Sequence, residues 1–469
     1  MASPDLLFPV ESRGLARELY ESAAGLPLIS PHGHVDPALL AEDAPFPDPA
    51  RLIIVPDHYL TRMLASQGVP QTALGVPTRD GTPSETDGRT IWRTFAQHWH
   101  LFRGTPSRLW LELVLTDVFG IHTRLGPETA DEVYDLICER LELPEFRPRA
   151  LFTRFNIEVL TTTESPLDEL TSHHKLAADG WGGPGGRIRT TYRPDDVVDM
   201  DWAGWPERVA TLGELAGEDT TGYPGYLAAL EKRRRVFADA GAFATDHGHP
   251  TANTRPLTPD EADRIFRAGL AGTQTAAEAE AFRGHMLYEF ARMSTEDGLV
   301  MQIHPGAYRN HSPLLHGRHG RDAGADIPQA TDYTHHLKPL LDAFGHHPNL
   351  RIVLFTLDED TYTRELAPLA GVYPSLYLGA PWWFLDSAEG MLRFRQAVTE
   401  TAGFYNTAGF ADDTRAFCSI PVRHQVARRV DALYLAQLVA TGRLPLDEAH
   451  ETMADLAYHL PKRVYKLGG

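Results

Sequence analysis

Two histidines one residue apart, His32 and His34, follow a short apolar segment at residues 26–30. Alternate residues of an extended chain point to the same side, so both imidazoles can be directed at one point beyond the end of a strand. Imidazole is the commonest metal-binding side chain in proteins. The pair therefore predicts a divalent metal site, although an isolated His-x-His triplet also occurs as ordinary polar surface.

Polar residues also come directly after other apolar segments. They are Arg193, Asp246, His247, His304 with Arg309, and the group Asp412, Asp413 and Arg415, while His58, Tyr59, Trp382 and Trp383 lie in connecting segments. A metal ion can bind a carbonyl and an adjacent hydroxyl oxygen, arginines bind carboxylates through two hydrogen bonds, and carboxylate, phenol and imidazole groups transfer protons. The set predicts metal-assisted chemistry on a polyhydroxy acid. Singly, Asp246 or His247 could be a helix cap, and Trp383 could be a core residue.

These side chains can meet only if the segments before them are parallel strands. Eight candidate strands cover residues 26–30, 157–163, 188–192, 242–245, 299–303, 352–356, 375–379 and, more weakly, about 404–410. Helical patterns separate them, and Thr258 with Glu261 and Thr129 with Glu132 are predicted capping boxes. Strands that alternate with helices indicate parallel βα units, and eight of them predict a closed (β/α)8 barrel with its site at the C-terminal ends of the strands.

More than a hundred residues separate the first two strands, far more than an ordinary βα connection. We predict three segments: an N-terminal helix and first barrel strand at 1–49, a helical insertion over the barrel mouth at 50–150, and the remaining barrel with C-terminal helices at 151–469. Residues 77–89 are polar, which predicts a flexible loop. The glycine-rich loop at 182–186 has no helix directly after it, which argues against a phosphate-binding role.

Composition narrows the class of protein. The chain has 469 residues and a formal net charge of −19. Nucleic-acid binding needs a basic surface, so the charge argues against a nucleic-acid partner. Its two cysteines, Cys138 and Cys418, have no CxxC context, and Cys138 is predicted to be a small buried residue of an amphipathic helix. No signal peptide or membrane span is recognisable, so we expect a cytoplasmic protein without a membrane partner.

At these residues the sequence closely resembles the uronate isomerases, also called glucuronate isomerases, of the amidohydrolase superfamily. The resemblance runs in family order from about residue 5 to the C-terminus. It is carried by His32-Gly33-His34, Asp57-His58-Tyr59 with Arg62, residues 162–166, Tyr192-Arg193-Pro194-Asp195, Asp246-His247, residues 302–310, Trp382-Trp383-Phe384, residues 413–417, Arg423-His424 and Arg428-Arg429.

The resemblance implies a distorted (β/α)8 barrel of the amidohydrolase type and the reversible isomerisation of D-glucuronate to D-fructuronate, or D-galacturonate to D-tagaturonate, through a cis-enediol. It implies that His32, His34 and Asp413 bind a divalent ion, expected to be Zn²⁺, with His304 as a further ligand or a substrate contact. Asp413 is the expected carbon base, and Tyr59 with His58 the expected proton shuttle on the oxygens. The expected substrate-binding residues are Arg193, Asp246, Arg309, Arg415 and Trp382. The expected partners are a small-molecule hexuronate and further copies of the chain.

Three departures from the family pattern stand out: Gly33 where cysteine is frequent, Leu60-Thr61 in place of a more polar pair, and Pro305 after His304. The alternative function is that of a metal-dependent hydrolase, which the His-x-His pair and the strand-eight Asp would also serve. Against it, no metal-binding histidine follows the sixth strand and no bridging lysine is evident. A non-catalytic sugar-acid binding protein would need the arginines but not Tyr59, His304 and Asp413 together.

Overall fold

A computed structural model describes residues 3–468 and shows a parallel sheet surrounded by helices. Its strands are β1 (Leu28–Ser30), β2 (Ile157–Glu164), β3 (Ile188–Tyr192), β4 (Ala244–His247), β5 (Val300–Ile303), β6 (Ala307–Tyr308), β7 (Ile327–Pro328), β8 (Ile352–Leu354) and β9 (Leu376–Leu378). The sheet has seven parallel strands in the order β1-β2-β3-β4-β5-β8-β9, whereas β6 and β7 form a separate antiparallel ribbon. The predicted α/β barrel architecture is confirmed.

The eighth barrel strand is reduced to one backbone bridge, between Leu378 and Thr407. Leu378 N donates to Asn406 O at 2.8 Å, and Ala408 N donates to Leu378 O at 2.8 Å. Gly409 then adopts a φ of +77°, a left-handed conformation that ends an extended run. The predicted strand at about 404–410 is therefore too long, because its glycine turns the chain after two or three residues.

Twenty-two α-helices surround the sheet in the described part of the chain. Those between β1 and β2 are α2 (Pro37–Glu42), α3 (Pro49–Ile53), α4 (His58–Ser66), α5 (Gly88–Gln97), α6 (Pro106–Leu113), α7 (Ala130–Leu141) and α8 (Pro148–Arg154). The others are α1 (Arg13–Ala24), α9 (Thr171–Ala178), α10 (Asp195–Val198), α11 (Trp205–Ala216), α12 (Tyr223–Asp239), α13 (Pro259–Leu270), α14 (Ala276–Asp297), α15 (Pro313–His319), α16 (Tyr333–His336), α17 (Lys338–Phe344), α18 (Ala367–Val372), α19 (Ala388–Ala402), α20 (Ile420–Ala440), α21 (Leu446–Ala454) and α22 (Leu460–Val464).

Local sequence signals account for several helix starts. Thr258 and Glu261 form the predicted capping box at the start of α13. The box predicted for Thr129 is wrong, because its hydroxyl donates to Arg124 O at 2.6 Å instead of capping α7. Cys138 is half-buried on α7 and not fully buried as predicted.

The helices between β1 and β2 share a hydrophobic core with the start of α20, while a second core fills the space between the sheet and α11 to α14. The third lies inside the barrel and against α1, α20 and α21. Within residues 3–468, none of the helices combines the length and the apolar character needed to cross a membrane.

Candidate active site

A cavity of about 640 Å³ opens at the C-terminal ends of the barrel strands. Most of the predicted site residues line it, namely His34, His58, Tyr59, Arg193, His304, Arg309, Trp382, Asp413 and Arg415. His32 and Asp246 are buried directly behind this lining. The structure thus brings together at one barrel mouth side chains that are spread over more than 380 residues of chain.

The two strand-one histidines are held by backbone contacts on both sides. Gly33 O accepts a hydrogen bond from the Thr163 hydroxyl at 2.8 Å, and a Cβ at Gly33 would lie 3.2 Å from Thr161 O. His34 N donates to Thr414 O at 3.0 Å, which joins the end of β1 to the segment that carries Asp413. These contacts fix the backbone between the two imidazoles, with Gly33 close to β2.

The carboxylate of Asp413 lies between these imidazoles. Its Oδ1 is 3.3 Å from His32 Nε2 and 3.1 Å from His34 Nε2. Ligand atoms about 2.0–2.2 Å from a tetrahedral zinc ion lie about 3.3–3.6 Å apart, close to these separations. The same Oδ1 is buried without a hydrogen bond from any described residue. The group can therefore hold a metal ion.

The protonation states of His34 and Asp413 suit a metal site. Burial lowers the pKa of His32, but Asp246 and Asp413 raise it more, so that its net pKa is above the usual value. Burial lowers the pKa of His34 to about 4, which leaves its imidazole neutral. Burial raises the pKa of Asp413, but His32 and His34 lower it more, so that the net pKa is well below the usual value. Neutral imidazole and ionised carboxylate are the forms that bind metals.

Asp413 has a φ of +41°, which is unusual for a residue with a side chain. The adjacent Asp412 is fixed by α20, because its Oδ2 lies 3.1 Å from His424 Nε2 and its carbonyl accepts from Arg423 Nη1 at 3.2 Å. Arg423 in turn donates to Asp386 at 2.7 Å. Helix α20 thus holds the strained turn, so that Asp412 is directed to His424 and Asp413 to His32 and His34. We call His32, His34 and Asp413 the metal group.

A second buried cluster is centred on Asp246. Its Oδ1 lies 2.6 Å from His304 Nε2 and 3.8 Å from His32 Nδ1, and its Oδ2 lies 3.3 Å from Arg193 Nη1. Burial raises the pKa of Asp246, but His304, Arg193 and His32 lower it well below the usual value. Because Nε2 of His304 is directed to Asp246, this imidazole lies outside the three-residue group that can hold an ion.

Asp246 and His247 are adjacent in β4, and their side chains point to opposite sides of the strand. Asp246 points to the barrel mouth, whereas His247 packs on Phe290 with ring centroids 4.9 Å apart. Asp195, His247 and His249 form a further group with metal-ligand spacing. However, the Asp195 carboxylate already accepts from Arg193 Nε at 3.1 Å and from Gly248 N at 3.1 Å. Its evident role is to orient Arg193.

His58 and Tyr59 begin α4, where the Asp57 side chain caps the helix by accepting from Tyr59 N at 2.8 Å. Their rings stack with centroids 4.8 Å apart. Burial, followed by the Arg415 charge, lowers the pKa of His58 to about 4. Burial also raises the pKa of Tyr59 well above its usual value, against the opposing effect of Arg423. Both groups are therefore neutral at physiological pH.

Two arginines of the mouth lie on loops and differ in how firmly they are held. Arg309 pairs with Asp326 at 2.8 Å and lies over the Trp383 ring, 5.1 Å from its centroid. Arg415 has a looser contact, 3.6 Å from Asp322.

The tryptophans divide between the two sides of the mouth. Trp382 packs edge-on against His304, with centroids 4.8 Å apart. Trp383 lies on the arginine side, where it contacts both Arg309 and the His58 ring.

Sequence reasoning missed the acids that hold the arginines, Asp195, Asp322 and Asp326. Asp195 was part of a recognised motif, but nothing in the sequence marked it as a partner of Arg193 two residues earlier. Asp322 and Asp326 lie in the segment between β6 and β7, which has no strand-end signal. Only the folded loop brings them to the barrel mouth.

Comparison with known proteins identifies the family to which the chain is similar. The family model described as glucuronate isomerase matches residues 8–465. A relative from Phenylobacterium zucineum (strain HLK1), named uronate isomerase, is 57% identical over 466 residues that cover 99% of this chain and 96% of its own.

Two solved structures are similar over nearly the whole chain. The glucuronate isomerase from Caulobacter crescentus is 53% identical with a TM-score of 0.97, covering 100% of this chain and 98% of its own. The uronate isomerase from Thermotoga maritima is 29% identical with a TM-score of 0.92, covering 99% of both chains.

Proposed function

This chain belongs to the glucuronate isomerase family and acts as an aldose–ketose isomerase of uronates; we propose how its barrel mouth does so. The substrates are D-glucuronate, converted to D-fructuronate, and D-galacturonate, converted to D-tagaturonate. The observation that supports the proposal most directly is the position of Asp413. Its carboxylate lies between His32 and His34, in the same cavity as Arg193, Arg309, Arg415 and the His58–Tyr59 pair.

The metal ligands are His32, His34 and Asp413, and the ion is Zn²⁺. When bound there, such an ion would stabilise negative charge on the carbonyl and hydroxyl oxygens of the substrate. We assign His304 to substrate contact and not to metal binding, because its Nε2 is directed to Asp246.

Asp413 is the base at carbon. Its low pKa keeps it ionised, and its lining position lets it reach a substrate in the cavity. The C2–H bond breaks, its electron pair forms the C1–C2 double bond of a cis-enediol, and the proton passes to Asp413. Asp413 then returns a proton to C1 while the C2 oxygen becomes the ketone. A general base of this kind contributes about 10²–10⁴-fold to the rate.

Tyr59 and His58 move the proton on oxygen. The aldehyde oxygen at C1 must gain a proton and the hydroxyl at C2 must lose one for the ketose to form. Tyr59 is a neutral phenol that can donate to the C1 oxygen, and neutral His58, stacked on it, can accept the proton of the C2 hydroxyl. Transfer of that proton from His58 to Tyr59 then restores both groups.

The uronate is bound mainly by charge and hydrogen bonds. Arg193, Arg309 and Arg415 bind its carboxylate and hydroxyls, since a guanidinium matches a carboxylate with two parallel donors. Asp246 aids substrate binding from behind the lining by holding His304 and Arg193, and Trp382 limits the cavity next to His304. Residues 50–150 act as an insertion that completes the mouth by supplying His58 and Tyr59.

The hydrolase alternative lacks a residue it would need. The chain after β8 carries Thr356 and Asp358, and Asp358 N donates to the Thr356 hydroxyl at 2.9 Å, so this corner forms a polar turn without a metal-binding histidine. Incubation of the purified protein with D-glucuronate, followed by NMR in heavy water, tests the proposal. We expect ketose signals to appear, whereas hydrolysis of amides or lactones without ketose formation would support the hydrolase.

A further inference from the structure

An acidic side chain, Asp322, lies between two arginines that the proposed function assigns to the substrate. Its Oδ2 is 3.6 Å from Arg415 Nη2, and its Oδ1 is 3.9 Å from Arg309 Nη1. Both separations exceed hydrogen-bond length, so these contacts are loose ion pairs. Asp322 also lines the cavity, and its side chain is 56% exposed. A carboxylate of the protein is thus placed beside two of the three arginines that the proposed function gives to the uronate.

The backbone around Asp322 is firmly fixed even though its side chain is not. Gln71 Nε2 donates to Ala323 O at 2.8 Å, and a Cβ at Gly324 would lie 2.8 Å from the Cβ of Arg62. Asp322 itself has a φ of +58°. The loop is therefore held against the insertion, and rotation about the side-chain bonds can carry the carboxylate toward or away from the arginines.

The neighbouring pair of Arg309 with Asp326 shows what a structural ion pair looks like in this loop. Asp326 is buried, accepts from Arg309 at 2.8 Å and also accepts from Asn310 N at 2.7 Å. Asp322 has no such backbone anchor, yet it is the one carboxylate within ion-pair distance of Arg415 among residues 3–468. Arg415, Arg309 and Arg193 nevertheless lower the pKa of Asp322 against the opposing effect of burial, so it remains an anion.

We propose that Asp322 is an internal counter-ion of Arg415 and Arg309 that the carboxylate of the substrate replaces on binding. This inference rests on the proposed function, which gives these arginines to the uronate. Asp322 then weakens the binding of every carboxylate by a similar factor, so that only a ligand with further contacts binds well. A uronate also contacts Arg193 and the metal group, so it gains enough to displace the acid, whereas a simple carboxylate must compete with Asp322 without those contacts.

The test compares Asp322→Asn with Asp201→Asn. Asparagine keeps the size of the side chain and tolerates a positive φ, so the first variant is expected to fold. Asp201 lines the same cavity and pairs with Arg283 at 3.0 Å, and its replacement removes the same charge at a distance from Arg415. The probes are acetate as an inhibitor and D-gluconate, a polyhydroxy acid without an aldehyde, whose binding is measured by calorimetry.

We expect Asp322→Asn to bind D-gluconate about two- to fivefold more tightly, because loss of a half-exposed ion pair has an effect of this size. The concentration of acetate that inhibits the variant should fall by a similar factor. The KM for D-glucuronate should fall by a similar factor while kcat changes little. Asp201→Asn should change these values by less than about 1.5-fold. The split between KM and kcat separates loss of a competing anion from a general disturbance of the loop.

Unchanged or weaker D-gluconate binding in Asp322→Asn would overturn the inference, because it would make Asp322 a bystander or a direct substrate contact. Equal tightening in both variants would also overturn it, since the effect would then be the general charge of the cavity. If the wild-type protein does not convert D-glucuronate, the proposed function fails, but the calorimetric comparison still decides whether Asp322 competes with carboxylates.

Discussion

The metal side and the arginine side of the barrel mouth are built differently. On the metal side, His32 and His34 follow β1, and the Asp413 carboxylate lies 3.3 and 3.1 Å from their imidazoles. On the arginine side, Arg415 lies 3.6 Å from Asp322, a half-exposed acid in the segment between β6 and β7. The metal side is closely packed, whereas on the arginine side the Arg415–Asp322 pair is loose and half-exposed.

The roles that we propose for the two sides account for this difference. Bond breaking at carbon depends on sub-ångström placement of the base, which short barrel strands and a buried helix such as α20 can provide. Recognition of a mobile sugar acid requires groups that release one anion and accept another, and loops carry such groups. The following experiments test whether chemistry and recognition are really separated in this way.

The largest expected effect is that of Asp413→Asn. The variant keeps the shape of the side chain but loses the basic oxygen, so turnover should fall about 10²–10⁴-fold or more. Binding of D-gluconate, measured by calorimetry, should change far less than turnover. A variant with nearly normal turnover of D-glucuronate would refute the assignment of the base.

Asp412→Asn is the matched control. The carboxylate of Asp412 is directed to His424 and not to the metal group, so turnover and metal content should change much less. Since Asp412 is fully buried, a fall in thermal stability is expected instead. Equal loss of turnover in both variants would mean that the two acids act as one unit.

Replacement of either strand-one histidine by alanine should come next in size. His32→Ala or His34→Ala removes one of three predicted ligands, and both metal content and activity should fall at least about tenfold. Elemental analysis of the purified variants measures the content, and removal of metal with a chelator should reproduce the loss in the wild-type protein. Full metal content in both variants would place the ion elsewhere.

Arg415→Met should affect recognition and leave the metal in place. A charged hydrogen bond contributes about 1.5–3 kcal/mol, so the KM for D-glucuronate should rise about tenfold to a hundredfold. Steady-state kinetics with D-glucuronate and D-galacturonate, together with elemental analysis, check both parts. Unaltered saturation with both substrates would make Arg415 structural, and metal loss would show that the two sides are not independent.

The smallest expected effect is that of Gly324→Ala, which tests how the loop is held. Gly324 has a φ of +78°, and a Cβ there would lie 2.8 Å from the Cβ of Arg62 and 3.2 Å from His58 O. A left-handed alanine costs about 1–2 kcal/mol, so a rise in KM of about two- to tenfold is expected with unchanged metal content. Gly317→Ala on α15, where a Cβ meets nothing within 4 Å, is the control and should behave as wild type.

The sequence by itself determined the barrel class and most of the chemical groups. Residues at strand ends can be found without a structure, because parallel strands must bring their C-terminal ends to one face. His32, His34, Arg193, His304 and Asp413 were all predicted on that basis. The resemblance then supplied the family, which the comparisons confirmed.

Only the tertiary structure decided how these groups are paired. No local sequence pattern shows that His304 Nε2 is directed to Asp246 or that α20 fixes the turn before Asp413. Nor does any local pattern show that Asp322 faces Arg415, which is 93 residues away in the chain. The eighth strand also depended on context, since Gly409 turns the chain after a single bridge. Side-chain pairing across a barrel mouth depends on loop paths, and loop paths are set by long-range contacts that hydrophobic periodicity does not encode.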